Sequence, residues 1–130
     1  MSHLVDTDWV ADWLSGRPDA IVVLADFRRT GLAISTITYM ETLEGIAGSP
    51  ARYRAHQGFR AFLRGIRILV VSRAIAERAA EIRLDLRRQK RQVNERALDI
   101  LVAATAMEHD LTLVTRNIRD YSDIAGLRLY

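Results

Sequence analysis

Four acidic residues, widely separated along the chain, have the side-chain chemistry of a metal-dependent hydrolytic site. They are Asp6, Glu41, Asp99 and Asp120. Carboxylates that gather in one place repel one another, and a divalent cation relieves this repulsion because Mg²⁺ and Mn²⁺ prefer oxygen ligands. A cation bound there can activate water and stabilise negative charge on a phosphodiester. The spacing alone leaves open that these acids are simply solvated, as most Asp and Glu side chains are.

The pattern of apolar residues predicts short strands that alternate with helices, which indicates an α/β domain with a parallel sheet and helices on both faces. Strands are predicted at 3–7, 33–37, 66–71 and 111–114, with a last edge strand at 127–129. Helices are predicted at 9–14, 18–29, 38–45, 51–63 and 98–108, and from 73 into the polar segment 87–92.

This order of elements would bring the four acids to one edge of the sheet. In such sheets, functional residues collect at the carboxyl ends of the strands. Asp6 ends the first predicted strand, and Asp120 follows the strand at 111–114. Glu41 lies in the helix after the second strand, and Asp99 opens a helix rich in alanine. Each of these carboxylates can therefore face the same crevice.

Two predicted helices begin with a capping signal. Thr38 is predicted to cap the helix that carries Glu41, and Glu41 then stands at the capping-box position three residues on. That structural role is the alternative to a role of Glu41 in the site. Ser72 is predicted to cap the long helix, whose buried stripe consists of Ile75, Ala79, Ile82 and Leu86.

The composition limits the class of protein. A chain of 130 residues fits one domain, 1–130. It contains no cysteine, which excludes disulfides, thiolate catalysis and cysteine-based zinc sites, and a cytoplasmic location is the simplest expectation. No apolar run approaches the roughly 20 residues that span a bilayer, and the N-terminus lacks the basic region of a signal peptide. We therefore expect no membrane association.

The basic residues are unevenly distributed, although the net charge is only +3. Eleven of the 19 lie between Arg60 and Arg96, and Lys90 is the only lysine. Because the guanidinium group of arginine pairs well with phosphate and carboxylate, this region predicts a polyanionic partner: RNA, DNA or an acidic peptide. A solvated helix face is the alternative.

Four segments resemble, in order, the motifs of the PIN-domain family, and within it the VapC toxins of bacterial toxin–antitoxin pairs. They are 4–7 (LVDT), 34–45 (ISTITYMETLEG), 98–106 (LDILVAATA) and 113–121 (LVTRNIRDY). The segment 126–129 (GLRL) also resembles the usual ending of the family. The similarity covers nearly the whole chain, and the third segment is its most specific part.

The resemblance implies a fold and an activity. The fold is a three-layer α/β/α domain around a mainly parallel sheet, and the activity is that of a magnesium-dependent endoribonuclease acting on RNA. By this similarity, Asp6 and Asp99 are direct metal ligands, and Glu41 and Asp120 complete the acidic quartet. The family also implies a small VapB-like antitoxin that blocks the site, and a homodimer.

Further polar residues lie beside these motifs. Thr7, Thr115 and Asn117 are candidates to orient the carboxylates or to contact phosphate, although turn chemistry also explains them. Asp8 departs from the family, which mostly has Asn or a small polar residue there, so its role stays open between metal binding and solvation. The segment 91–96 lacks the Gly-Pro pattern common before the third motif, which leaves the loop beside Asp99 undefined.

Two other functions are compatible with parts of the sequence. In a haloacid-dehalogenase-type phosphatase, Asp6 would be a covalent nucleophile and Asp8 an acid/base. That family also needs a lysine near a strand end and a later acidic pair, whereas Lys90 lies in a polar run and no Asp-Asp pair exists. A non-catalytic RNA-binding domain would use the arginine-rich region, but phosphate binding gains nothing from four retained acids.

Overall fold

The computed structural model describes residues 1–130 and contains a four-stranded sheet flanked by seven α-helices. The strands are β1 (His3–Val5), β2 (Leu32–Ser35), β3 (Arg67–Leu69) and β4 (Thr112–Val114). The helices are α1 (Thr7–Leu14), α2 (Pro18–Arg28), α3 (Thr36–Ala47), α4 (Arg52–Phe62), α5 (Arg73–Arg88), α6 (Ala97–Glu108) and α7 (Ile118–Tyr121). A 3₁₀ turn at Asn94–Arg96 precedes α6.

All strand pairs are parallel, and the spatial order is β3-β2-β1-β4. The chain moves outward from β1 to β2 and β3, and then returns to place β4 on the other side of β1. This reversal opens a crevice at the carboxyl ends of β1 and β4, which is where ligands bind in sheets of this kind. Val5 pairs with Val114 at that end, so the residues after each strand start side by side.

Two apolar clusters cover the two faces of the sheet and give the three layers. Because successive side chains of a strand point to opposite faces, Leu4 and Leu113 pack with α5 and α6. Val5 and Val114 pack on the other face with α1, α2, α3 and α4. The predicted three-layer α/β/α fold is therefore confirmed, and its sheet is entirely parallel.

The helices follow the apolar periodicity closely, and most predicted starts are confirmed. The buried positions of α5 are the four that the pattern predicts. The Ser72 hydroxyl caps this helix by accepting a hydrogen bond from the backbone N–H of Ile75 at 3.2 Å. The loop after α5 contains Lys90, whose backbone has a positive φ of 59°.

The predicted cap of α3 is wrong by three residues, which is nearly one helical turn. The strand β2 ends at Ser35 instead of residue 37, and Ser35 caps the helix by accepting from the backbone N–H of Thr38 at 3.1 Å. Thr38 consequently lies inside the first turn, and Glu41 is not a capping-box partner. The reason is that the β-branched residues at 36–38 favour a strand locally, whereas the serine hydroxyl stabilises the helix start.

The predicted last strand at 127–129 is reduced to one parallel bridge between Leu113 and Leu129. Leu113 donates its N–H to Arg128 O, and Tyr130 donates to Leu113 O, both at 2.9 Å. The strand predicted at 66–71 is also shorter than expected. The short helix α7 was not predicted, because four residues are too few to show a helical period.

No helix of this protein has the length and apolarity that crossing a membrane requires.

The cap of α5 can be tested by Ser72→Ala. We expect the free energy of unfolding in urea to fall by about 1 kcal/mol, because the Ile75 N–H loses its acceptor. Ser72→Asp keeps an acceptor and should stay within about 0.5 kcal/mol of the wild type. Equal losses for both variants would contradict the cap.

Candidate functional site

Asp6 lies at the centre of the crevice, directly after β1, and its side chain is held on all sides. It is only 7% exposed and forms the N-cap of α1. One carboxylate oxygen accepts from the backbone N–H of Thr7 at 2.9 Å, and the other accepts from the Thr115 hydroxyl at 2.9 Å. The cap position also places its charge at the positive end of the helix dipole. These contacts allow a carboxylate to be buried without a basic partner.

Asp99 reaches the same point from the first turn of α6, and Tyr121 joins the two acids. The buried Tyr121 hydroxyl lies 3.1 Å from Asp6 Oδ2 and 3.2 Å from Asp99 Oδ1. A phenol has one proton, so it donates to one carboxylate at a time. Burial raises the pKa of Tyr121, and the charges of Asp6 and Asp99 raise it further, which keeps this hydroxyl protonated as a donor.

The carboxylates of the site influence one another electrostatically. Burial raises the pKa of Asp99, and the negative charge of Asp6 adds to that effect, while the hydrogen bond from Tyr121 opposes it. Glu41 and Asp120 are close enough to contribute in the same upward direction. The crevice is thus a region of uncompensated negative charge, which favours a cation.

Glu41 approaches from α3 and is fixed by the start of α1. Its Oε1 accepts a hydrogen bond from the Thr7 hydroxyl at 2.7 Å. Thr7 therefore joins two of the acids, because its backbone N–H binds Asp6 and its side chain binds Glu41. The carboxylate of Glu41 faces the crevice and leaves one oxygen without a protein donor.

Asp120 is the most exposed of the four predicted acids. It lies on α7 and accepts a hydrogen bond from the Asn117 side chain at 2.8 Å. The position of α7 is fixed by Arg96, which forms a two-pronged ion pair with Asp123 at 2.6 and 2.9 Å. Arg96 also donates to the Asp120 carbonyl at 2.6 Å. Because Arg96 directly precedes α6, this contact links the helix of Asp99 to the helix of Asp120.

Asp8 has a defined role in the structure that its sequence position did not indicate. One carboxylate oxygen accepts from the backbone N–H of Trp9 at 2.7 Å, and the other accepts from that of Arg116 at 2.9 Å. Asp8 thereby ties the start of α1 to the loop after β4. Burial raises its pKa, the charge of Asp6 adds to this, and the two backbone hydrogen bonds oppose it.

The site could hold a small divalent cation through two carboxylates. No three His, Cys, Asp or Glu side chains are arranged to hold one metal ion between them. Mg²⁺, however, is usually bound by one or two carboxylates, with water and substrate phosphate as its other ligands. Asp6 and Asp99, which meet at the Tyr121 hydroxyl, are the pair with that chemistry.

Sequence reasoning missed three residues that shape the site. Tyr121 looks like a core aromatic residue, and nothing in the pattern distinguishes its hydroxyl from a solvated one. Arg96 was considered only as part of the basic region. Arg116 binds Asp12 and Asp19 and lies 4.0 Å above the Trp9 ring, so it anchors the loop after β4.

Comparison with known proteins shows that this chain is similar to PIN-domain ribonucleases of the VapC type. A family model described as PIN domain matches residues 3–127. Ribonuclease VapC19 of Mycobacterium tuberculosis is 30% identical over 120 residues, which are 91% of this chain and 90% of that protein. The tRNA(fMet)-specific endonuclease VapC of Shigella flexneri is 27% identical over 128 residues, 98% of this chain and 96% of that protein.

A solved structure matches the fold over the same length. It is the crystal structure of DNA-bound VapBC from Salmonella typhimurium, with a TM-score of 0.88 and 25% identity. The match covers 100% of this chain and 97% of that chain.

The Tyr121 hydroxyl can be tested by Tyr121→Phe. We expect the free energy of unfolding to fall by about 1.5 to 3 kcal/mol in the presence of EDTA, because the buried Asp6 and the half-buried Asp99 lose a shared donor. The control is Tyr39→Phe, whose hydroxyl makes no protein hydrogen bond, and it should change stability by at most about 0.5 kcal/mol. Equal effects in urea denaturation would contradict this role of Tyr121.

The Arg96–Asp123 pair predicts a pH dependence of stability. The hydrogen bonds from Arg96 hold the pKa of Asp123 below its usual value. A depressed pKa means that the pair stabilises the fold fully above the unfolded value of about 3.9, and that this stabilisation is lost as the pH falls through the folded value. Urea denaturation should therefore show an Asp123→Asn penalty that is constant near neutral pH and shrinks below about pH 4. A penalty that does not vary with pH would contradict the ion pair.

Proposed function

This chain belongs to the PIN domain family and is a VapC-type toxin endoribonuclease, and we propose that Asp6, Glu41, Asp99 and Asp120 are its catalytic residues. The proposal treats residues 1–130 as a single PIN domain. Asp6 and Asp99 are its direct metal ligands, with Mg²⁺ as the preferred ion and Mn²⁺ as a substitute.

One observation carries this proposal. The carboxylates of Asp6 and Asp99, which are far apart in sequence, meet at the Tyr121 hydroxyl in the crevice between β1 and β4. Burial raises the pKa of Asp99, and the negative charge of Asp6 raises it further. The group that the two carboxylates share is a neutral hydroxyl and not a positive side chain. Arg96 and Arg116 do not supply a positive partner, because both are paired with other aspartates.

When bound between these carboxylates, a divalent cation would activate water and stabilise negative charge on the RNA phosphodiester. Neighbouring hydroxyl and N–H groups of the protein hold these carboxylates in position. Thr7 holds Asp6 and Glu41 in fixed positions, and Thr115 holds Asp6 from the other strand. Glu41 has a free oxygen that can accept a hydrogen bond from the attacking water.

Asp120 closes the other side of the crevice. Asn117 fixes one of its oxygens, and the remaining oxygen faces water. Asp8 is a positioning residue in this scheme, because both its oxygens bind backbone N–H groups of the segments beside Asp6 and Thr115.

The names of the related proteins suggest an RNA substrate and a protein partner for this chain. The Shigella flexneri relative is named for tRNA(fMet), and we propose a structured RNA such as a tRNA as the substrate of this chain. The Salmonella typhimurium structure is a VapBC assembly, which supports an antitoxin as the protein partner here, and we propose a VapB-like one. We further propose a homodimer that acts on RNA in the cytoplasm.

The phosphatase alternative has no support in the geometry. Asp8, its acid/base candidate, is engaged by two backbone N–H groups. Lys90 lies in the exposed loop after α5 and makes no contact with the crevice.

The catalytic proposal is tested by Asp99→Asn in an RNA cleavage assay with Mg²⁺. Loss of a residue that only hydrogen-bonds to a metal ligand typically lowers activity about 10- to 100-fold. Loss of a ligand itself should lower it more, so we expect cleavage to slow at least about 100-fold. Asp110→Asn is the matched control, because Asp110 is exposed and pairs with Arg128 away from the crevice. EDTA should abolish the wild-type activity.

Two results would contradict the proposal. Undiminished cleavage by Asp99→Asn would remove Asp99 from the mechanism. RNA binding without any metal-dependent cleavage by the wild type would favour the non-catalytic binding domain.

A further inference from the structure

A pocket of about 370 Å³ opens next to the acidic crevice, between α1, α3 and α4. Thr7 and Glu41 form part of its wall, so it is continuous with the candidate catalytic site. From there it extends to Arg54 and Ala55 on α4. Its volume falls within the usual range of pockets that bind small ligands, which is roughly 300–1,000 Å³.

Thr42 lines this pocket, and its hydroxyl, which is closed off from solvent in the free protein, has no protein partner. The residue is 6% exposed, and its hydroxyl forms no hydrogen bond. A threonine inside a helix can donate to the carbonyl four residues earlier, as Thr105 does to Leu101 O at 2.7 Å. Because a buried hydroxyl without a partner is costly, a rotation of the Thr42 side chain that brings the hydroxyl to a polar group of a ligand in the pocket would relieve that cost.

Arg54 supplies an unpaired cation on the same wall. Its side chain is exposed and forms no ion pair or hydrogen bond with the protein. Arg96 and Arg116 differ in this respect, since Arg96 is paired with Asp123, and Arg116 with Asp12 and Asp19. An unpaired guanidinium next to a crevice that must receive a phosphodiester is suited to a neighbouring phosphate.

Small residues keep the pocket open. Gly45 lies on the pocket side of α3, and a Cβ atom added there would meet nothing within 4 Å. Ala11, Ala51 and Ala55 also line the space and present only methyl groups. Such a surface accepts a flat apolar face, which is what an unstacked nucleobase offers.

We propose that this pocket binds one nucleotide of the RNA strand, next to the bond that is cut. Its phosphate contacts Arg54, and its base or ribose hydrogen-bonds to the Thr42 hydroxyl. The proposal rests on the RNA cleavage proposed above, since a strand that crosses the acids must place a flanking nucleotide near the wall that contains Thr7 and Glu41. A peptide is the competing occupant, but the unpaired guanidinium of Arg54 in the pocket lining favours a phosphate-bearing strand.

The first test uses Gly45→Leu, which fills the pocket without removing any group of the acidic site. Leucine has a higher helix propensity than glycine, so α3 should remain folded. We expect KM for unfractionated bacterial tRNA to rise about tenfold, with kcat changed less than about twofold, because binding outside the reacting bond is lost. Ala80→Leu on the exposed side of α5 is the matched control and should leave both constants unchanged.

The second test measures binding without cleavage, and so does not depend on the catalytic proposal. The four nucleoside 5′-monophosphates are titrated into the Asp99→Asn protein without metal, and amide signals are followed by NMR. We expect saturable shifts at Thr42, Gly45 and Ala55 that disappear in the Gly45→Leu background. Arg54→Gln should weaken the monophosphates at least about threefold and leave the unphosphorylated nucleosides unchanged.

The outcomes separate the two proposals. If Asp99→Asn cleaves like the wild type, the catalytic proposal fails, whereas the NMR result still decides the pocket. If no monophosphate shifts these signals and Gly45→Leu leaves KM unchanged, the nucleotide pocket is overturned. It is also overturned if Gly45→Leu abolishes complex formation with the antitoxin while KM for tRNA stays the same, because the pocket would then bind a peptide.

Discussion

Electrostatic repulsion among carboxylates at one end of a parallel sheet is the constraint on which this structure depends. Asp6 is almost fully buried, and Asp99 reaches the same hydroxyl, so two negative charges share a poorly hydrated place. Burying charge in this way is costly unless each oxygen receives hydrogen bonds. Both oxygens of Asp6 receive hydrogen bonds from neutral donors, namely the hydroxyls of Thr115 and Tyr121 and the backbone N–H of Thr7, and one oxygen of Asp99 lies within hydrogen-bond distance of the Tyr121 hydroxyl.

The choice of neutral donors has a functional consequence. An arginine in contact with these carboxylates would stabilise the empty site and compete with a cation. Two arginines on the segments that carry the site pair with other acids instead, Arg96 with Asp123 and Arg116 with Asp12 and Asp19. Those ion pairs fix the segments that carry the site and leave its negative potential in place. Ion pairs therefore stabilise the segments around the site, whereas the carboxylates in the crevice have no basic partner.

Groups without a protein partner also occur in the pocket that we propose for the RNA strand. The pocket between α1, α3 and α4 combines a free guanidinium, Arg54, with a hydroxyl, Thr42, that lacks a partner. Thr42 has no hydrogen-bond partner and Arg54 no acidic partner within the protein, just as the carboxylate pair has no basic one. Thr7 and Glu41 belong both to the acidic site and to the lining of the pocket. A bound cation and the RNA strand would therefore lie next to each other there.

The sequence by itself determined the order of elements, the two-faced sheet and the four acids, because apolar periodicity and motif order are local properties that a single chain displays. It placed the start of α3 wrongly, since β-branched residues outweighed the Ser35 cap in a local reading. Only the tertiary structure decided which groups support the acids. Tyr121 meets Asp6 across 115 positions, and Asp8 binds the Arg116 N–H across 108. Such contacts arise because parallel pairing brings together the carboxyl ends of strands that are distant in sequence. No local sequence pattern predicts that geometry.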